Sequence, residues 1–414
     1  MKISLTICFA IILLSGISFA QDESPFTVEK LTDNITQLIT NEGSYTTNIL
    51  VFDGADGLLL VDTNTKENAE ELKKIIDSFG KGLPKYIINT HRHVEHIGGN
   101  AIFGPDPVII GHDLIRKRLR SGGYLFDEWP EITMPDIAIT DSIYLYFNGE
   151  KIRLIPLAGS HDDNEIIVHF TDSKIVHLSS LVNGLNFPSV DSDGDVLKFD
   201  ELVDRAIEVL PEDVTIVSGH NNNCGWHDLH NYRDMVKQTT KIVRDGLAKG
   251  KTVEQMQEEK VFAGFESYAQ SYVSPEGWIE YLADGIEGGE EKKSIMEPMY
   301  YAYKDGGADG AIKEFQRLKS ENADEYEFQE VELVVIGIKL NGKKEYDGSN
   351  KIFELSLKEY PDGEYRYYAY YIMSQSYRDL GQIDEAIKHC EKSIEANSEF
   401  QDGPALLEEL KKMK

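Results

Sequence analysis

Between Thr90 and Gly99 the chain reads THRHVEHIGG, which places His91, His93, Glu95 and His96 within six positions. Neutral imidazole nitrogens and a carboxylate oxygen are donors that suit zinc, whereas the guanidinium of Arg92 does not ligate a cation. Spacing divides the donors. His91 and His93 are two residues apart, so in extended backbone their rings point the same way and can grip one ion. Glu95 and His96 follow after a bend and are placed to grip a second. The bland alternative is a chance cluster of surface histidines, yet packing alone rarely gathers three of eleven histidines beside an acid over so short a stretch. Ions held this way polarise an oxygen of a bound molecule and activate water for attack.

The apolar residues Tyr86, Ile87 and Ile88, followed by Asn89 and Thr90, lead into this cluster. A strand, then Asn-Thr, then HxHxEH resembles the metallo-β-lactamase fold family, whose motif reads HxHxDH; Glu95 stands where that family has aspartate. Two further segments extend the resemblance. LAGSHDDNEIIVHF, with His161 in a loop before an apolar run, is similar to the family's GHTxDN motif, and IVSGH, ending on His220, is similar to its PGH motif with Ser218 replacing proline. The resemblance implies one zinc on His91, His93 and His161, with a fourth position left for water, and a second on Glu95, His96 and His220. The family's bridging aspartate or cysteine falls on Ser180, a neutral hydroxyl and a poor zinc ligand. One lactamase subclass is similar, with serine there and its second metal held by the acid and last histidine of the motif plus the distal histidine. The cofactor expectation is one or two zinc ions per chain. Glu95 is longer than aspartate by one methylene, which moves its carboxylate by about a bond length or more. Asp62, after the apolar run 58–61, is expected to orient a ligand rather than to be one.

Short strands must position these residues. Apolar runs at 48–52, 58–61, 86–89, 108–110, 143–147, 152–157, 165–170, 174–178 and 214–217 fit strands, and Ala69, Leu72, Ile75, Ile76 and Phe79 mark one face of a helix ended by Gly80. Periodicity alone predicts mixed α and β. The resemblance implies an α+β chain: an αββα metallo-β-lactamase sandwich over 21–235, followed by an all-α domain. Residues 236–295 read as a helical extension covering one side of the sandwich, with the Gly- and Glu-rich stretch 285–291 as its boundary. The region 296–414 is expected to be tetratricopeptide-like. Tyr370, Met373, Ser374, Tyr377, Gly381, Ala386, Ile387 and Cys390 match one unit, and Ala311 with Phe315 and Ser349 with Phe353 repeat the small-then-bulky pair of Ala386 and Cys390. An irregular helical bundle is the alternative. A repeat of this kind offers a face to a protein or peptide partner or shapes access to the enzyme, while acids such as Asp384 and Glu385 read as a solvated face.

Residues 1–20, with Lys2, an apolar core and Ser18-Phe19-Ala20 at their end, have the pattern of a signal peptide. Cleavage near Ala20 predicts a secreted or periplasmic protein, and no later segment reads as a membrane span. The net charge is −30, and becomes −31 once Lys2 is lost, because the first twenty residues contain no acid. Such acidity argues against nucleic acid as a partner and disfavours highly anionic substrates. Cys224 and Cys390 fall in different expected domains, which argues against a disulfide. Cys224 follows His220 by four residues and is a candidate to line the pocket, although a lone cysteine is more often a small apolar filler. His112, His169, His177, His227, His230 and His389 read as structural or exposed.

These residues predict a secreted zinc-dependent hydrolase in which metal-bound hydroxide attacks an amide, lactone or ester bond of a small molecule, Glu95 also orienting or accepting the proton. The alternative is a catalytically weak or inactive metal-binding scaffold whose repeats bind a protein partner, motivated by the departures at Glu95 and Ser180. An iron-dependent thiol dioxygenase of the same fold is less favoured, because those sites resemble a pattern that uses the bridging aspartate.

Overall fold

A computed structural model of the protein describes residues 24–41, 46–120, 129–191, 194–288, 292–397 and 400–414, so the expected signal peptide lies outside the described residues. Two sheets face each other. The first contains, in spatial order, β1 (Phe26–Lys30), β2 (Ile35–Asn41), β3 (Thr46–Gly54), β4 (Gly57–Val61), β5 (Tyr86–Ile88), β6 (Val108–His112) and β7 (Ile137–Ile139), antiparallel up to β4 and parallel from β4 onward. The second contains β8 (Ile143–Phe147), β9 (Glu150–Pro156), β10 (Ile166–Phe170), β11 (Ile175–His177) and β12 (Thr215–Val217), each beside the next and antiparallel except for the β11–β12 pair.

Strand periodicity decides which faces meet. Leu50, Phe52, Leu59, Val61 and Ile88 point inward from the first sheet and pack on Ile152, Leu154, Val168, Phe170 and Val217 of the second. The alternate residues Ile49, Val51, Leu58, Leu60 and Ile87 point the other way and are covered by Leu72 and Ile76 of the helix Ala69–Ser78. The outer face of the second sheet, including Ile155, Ile167, Val176 and Ile216, lies under the helices Phe199–Val209, Trp226–Ala248 and Pro275–Glu287. Four layers result, αββα. Covering both faces of β3 and β4 explains why they read as unbroken apolar runs rather than as an alternation.

The helix Trp226–Ala248 passes unbroken through residues 235 and 236, joining the sandwich to the helices that follow it. Trp278 of the helix Pro275–Glu287 is fully buried and donates its Nε1 hydrogen to Thr239 Oγ1 at 3.0 Å, locking the two helices together. The helix Pro275–Glu287 ends within the stretch 285–291 that is expected to bound the extension, and Gly285 itself sits inside the helix. A Cβ there would lie 2.3 Å from Val196 Cγ1, so the glycine marks close packing, not a chain break. Residues 289–291 of the same stretch lie outside the described residues.

Beyond residue 295 the chain is helical, with a two-residue strand pair (Lys293–Ser294 and Tyr326–Glu327) at its start. The helix Met296–Glu321 breaks at Gly306 and Gly307, where φ of +60° at Gly307 suits only a residue without Cβ constraint. Two helix pairs follow, Glu330–Gly342 with Tyr346–Glu359 and Arg366–Asp379 with Ile383–Ala396. Ser349 Oγ donates to the Gly337 carbonyl and Ser374 Oγ to the Ala386 carbonyl, each at 2.8 Å. Residues 337 and 374, and 349 and 386, are both 37 apart, so the same helix–helix contact recurs with the serine on opposite partners. This all-α region also touches the sandwich: Arg118 bonds both Asp163 and Glu297, and Tyr301 donates to the Lys117 carbonyl. No helix among the described residues is long and apolar enough to cross a membrane.

Candidate metal centre

Loops at the ends of both sheets converge on one spot. Leaving β5, the chain carries His91 and His93, then turns into the short helix Val94–Ile97 that carries Glu95 and His96. His161 precedes β10, and His220 follows β12. His91, His93 and His161 form one group able to hold a cation, Glu95, His96 and His220 a second, with the donor atoms of each group within 4.8 Å of one another. The groups adjoin, since the rings of His91 and His96 have centroids 4.1 Å apart.

The outer ring nitrogens are already committed. His96 Nδ1 lies 2.7 Å from Asp62 Oδ2, His220 Nδ1 3.1 Å from the Thr46 carbonyl, His161 Nδ1 2.9 Å from the Ser189 carbonyl, and His93 Nε2 2.8 Å from Asp191 Oδ2. Each such acceptor holds a proton on the nitrogen that faces it, which leaves a bare lone pair on the other. Those bare nitrogens confront each other. His96 Nε2 and His220 Nε2 are 3.2 Å apart, as are His161 Nε2 and His93 Nδ1. Two facing lone pairs repel, and a shared cation relieves the repulsion. His91 Nε2 is buried with no hydrogen-bond partner, a third donor waiting for the same kind of occupant. The donor set therefore fits a borderline-soft cation that takes nitrogen and carboxylate ligands, as zinc does.

Electrostatics agree with this assignment. Burial first, then the charges of the neighbouring histidines, pushes His161 down to about 3 and holds His91 and His220 well below the ordinary histidine value. These rings are neutral near pH 7, the form that ligates. His93 moves the other way: burial would lower it, but the Asp191 hydrogen bond and the charges of Asp162 and Glu95 raise it. Glu95 Oε1 stands 3.8 Å from His93 Nδ1 and 4.0 Å from His220 Nε2, between the two groups.

Asp62 orients rather than ligates, as its position after β4 suggests. It binds the Thr90 amide at 2.8 Å, the Thr90 hydroxyl at 2.7 Å and His96, and so fixes both ends of the HxHxEH turn. Its backbone is left-handed, φ +65°, as are Ser179 at +52° and Asn221 at +59°. Strain of this sort gathers where side chains must be aimed. Ser180 is buried, belongs to neither donor group, and its hydroxyl has no hydrogen-bond partner. Ser179 instead places its hydroxyl 3.3 Å from His91 Nδ1. Cys224 is buried among apolar side chains, and burial pushes its thiol up to about 12, so it is unreactive filler.

Sequence reasoning missed Asp191. Its carboxylate bonds both His93 and, at 2.5 Å, Arg92, yet it lies 98 residues beyond His93 and no motif surrounds it. It also borders a cavity of about 1040 Å³ whose walls include Val190, Leu197, Tyr281, Asp284 and Glu287.

Residues 43–220 match the family described as the metallo-beta-lactamase superfamily. Those residues are a metallo-beta-lactamase superfamily domain. The match begins just before β3 and ends on His220, so the superfamily domain contains both donor groups, whereas the helices from Trp226 onward lie outside it. Among solved structures, the chain is similar to a metallo-beta-lactamase from Pontibacter korlensis at 20% identity and a TM-score of 0.46, over 51% of this chain and 99% of that one. It is also similar to the DIM-1 metallo-beta-lactamase, at 17% identity and a TM-score of 0.44, over 51% of this chain and 97% of that one.

Proposed function

We propose that the chain is a secreted, zinc-dependent hydrolase that opens an amide, lactone or ester bond of a small, uncharged or cationic molecule. The observation that carries this reading is the pair of 3.2 Å contacts between bare histidine nitrogens, each of which calls for a cation between them. Bound there, zinc supplies Lewis-acid polarisation of the scissile oxygen and lowers the pKa of water toward about 7. His91, His93 and His161 would hold one ion, and Glu95, His96 and His220 the other. Asp62, Thr46, Ser189 and Asp191 keep their rings in the required tautomers. With one carboxylate oxygen on the ion shared with His96 and His220, the other oxygen of Glu95, which stands between the two donor groups, would accept the proton released as water attacks the carbonyl carbon and pass it to the leaving group.

Charge narrows the substrate. Arg92 is engaged by Asp191, Lys198 by Asp195 and Arg118 by Asp163 and Glu297. The adjoining cavity adds Asp284, Glu287 and Glu327 with Lys292 as its one cation among the lining residues. An anionic substrate meets repulsion there, which sets this site apart from one built to seat a carboxylate. The recurring helix pairs support a tetratricopeptide-like module that presents a face to a peptide partner, and the N-terminal pattern supports export.

Elemental analysis of the purified protein, followed by an ester, lactone and β-lactam panel, tests the reading. We expect up to two zinc ions per chain, hydrolysis of uncharged esters or lactones, and a fall of at least about a hundredfold in kcat/KM for His91→Ala and His220→Ala. Full turnover by a metal-free preparation would overturn the mechanism, and a metal-loaded protein inert across the panel but binding peptides would favour the scaffold.

A further inference from the structure

A segment outside the superfamily domain reaches the metal centre. After the helix Val253–Glu258 the chain passes through residues 268–272 and then enters the helix Pro275–Glu287. On the way it is pinned at several points to the loops that carry the site. The Phe187 amide donates to the Tyr268 carbonyl at 2.6 Å, the Gln270 amide donates to Asn186 Oδ1 at 2.9 Å, and Asn221 Nδ2 donates to Ser271 Oγ at 3.4 Å. Asn186 and Phe187 lie in the loop that leads to Ser189, and Asn221 follows the ligand His220. The segment thus straps the His161 side of the site to the His220 side.

Tyr272 is the last residue of this strap before Val273 enters the core. Its hydroxyl bonds the side chain of Ser189, whose carbonyl and hydroxyl both approach His161 Nδ1, at 2.9 and 3.2 Å. The phenol also lies within electrostatic range of Glu95, Asp191 and Tyr281. Tyr281 and Asp191 both line the cavity beside the centre. Despite these ties the residue is 46% exposed, a large aromatic side chain left partly open beside Ser189. Burial, reinforced by the Glu95 charge, raises the phenol above its ordinary value, so it stays protonated at neutral pH.

We propose that Tyr272 touches the substrate and donates its phenolic hydrogen to the oxygen that becomes negative as the scissile carbonyl turns tetrahedral. This rests on the hydrolase reading. As the water oxygen bonds to the carbonyl carbon, the π pair moves onto the carbonyl oxygen. The phenol holds that oxygen by a hydrogen bond and keeps its own proton. The pair then returns as the carbon–heteroatom bond breaks, and the leaving group departs with the proton taken from water. The Ser189 hydroxyl donates to the phenol oxygen and keeps it aimed. The ring face gives the substrate's apolar part a wall, with Tyr281 next to it. In this arrangement the helical extension contributes chemistry to the site as well as packing to the sheet.

The test uses Tyr272→Phe in the full zinc-loaded chain, with two separate readouts. Binding of phenylphosphonate, a stable tetrahedral anion, is measured by calorimetry, and we expect it to weaken about tenfold in the variant while zinc content and affinity stay unchanged. On whichever ester or lactone the parent hydrolyses, kcat should fall between about tenfold and a hundredfold with KM within about twofold, the pattern of a contact made chiefly in the transition state. Equal phosphonate binding by parent and variant, absence of binding by the parent, or loss of zinc from the variant overturns the assignment. A parent that binds phosphonate through Tyr272 but hydrolyses nothing refutes the hydrolase reading and leaves the contact standing.

Discussion

At the scale of single residues, three imidazoles of the centre, His91, His161 and His220, are kept neutral by burial and by their histidine neighbours. His161 is held at about 3, and His91 and His220 well below their ordinary value. Below about pH 6.5 the unfolded chain binds protons at these positions that the folded chain refuses, so stability is intact above that pH and declines as pH falls. Each depressed histidine contributes up to about 1.4 kcal/mol per pH unit to this slope until its folded value is reached. His93, which is raised, has the opposite sign: its contribution is present below its unfolded value and disappears as pH rises through its folded one. Urea unfolding of metal-free protein between pH 7.5 and 5 should show the decline, and His161→Asn should make it shallower; a parallel slope in parent and variant would contradict the assignment. The two candidate donor groups were legible because HxHxEH, His161 and His220 sit in short, dense motifs. Asp191, Ser189 and Tyr272 were not, because a residue that aims a ligand needs only one good hydrogen bond and leaves no local pattern.

At the scale of elements, what the sequence declared depended on burial. β3 and β4, apolar on both faces, were readable from hydrophobicity alone. β1, with only Phe26 of its five residues buried, and β7, with two of three exposed, are edge strands with too little apolar contrast to be seen. β2 hides for another reason: its buried Thr36 and Gln37 break the alternation, and Gln37 is satisfied by paired amide contacts with Asn223, 186 residues away. Gly285 belongs to a stretch whose composition reads as a boundary, and the structure adds a packing reason for the glycine: it lies against Val196. Gly285→Ala forces a methyl against Val196 and should cost about 1–3 kcal/mol, read as a lower urea midpoint with unchanged slope. An unchanged midpoint would mean that the helix Pro275–Glu287 shifts freely, contrary to its burial of Trp278 and Leu282.

At the scale of the whole molecule, the donors come from opposite sides of the sandwich. His91, His93 and His96 hang from the first sheet, His161 and His220 from the second, and residues 91 and 220 are 129 positions apart in the chain. Zinc binding should raise the melting temperature by a concentration-dependent amount, about 4 kcal/mol of stability at a free zinc level a thousand times the dissociation constant, and a chelator should remove it. A melting temperature indifferent to chelation would mean that the donors do not share an ion. The arrangement of ligands also has a kinetic side. An ion held by His96 of the first sheet and His220 of the second would act as a reversible cross-link closing a loop of more than a hundred residues, and the layers would part only once a coordinate bond broke. Resistance to proteases would then follow the supply of zinc.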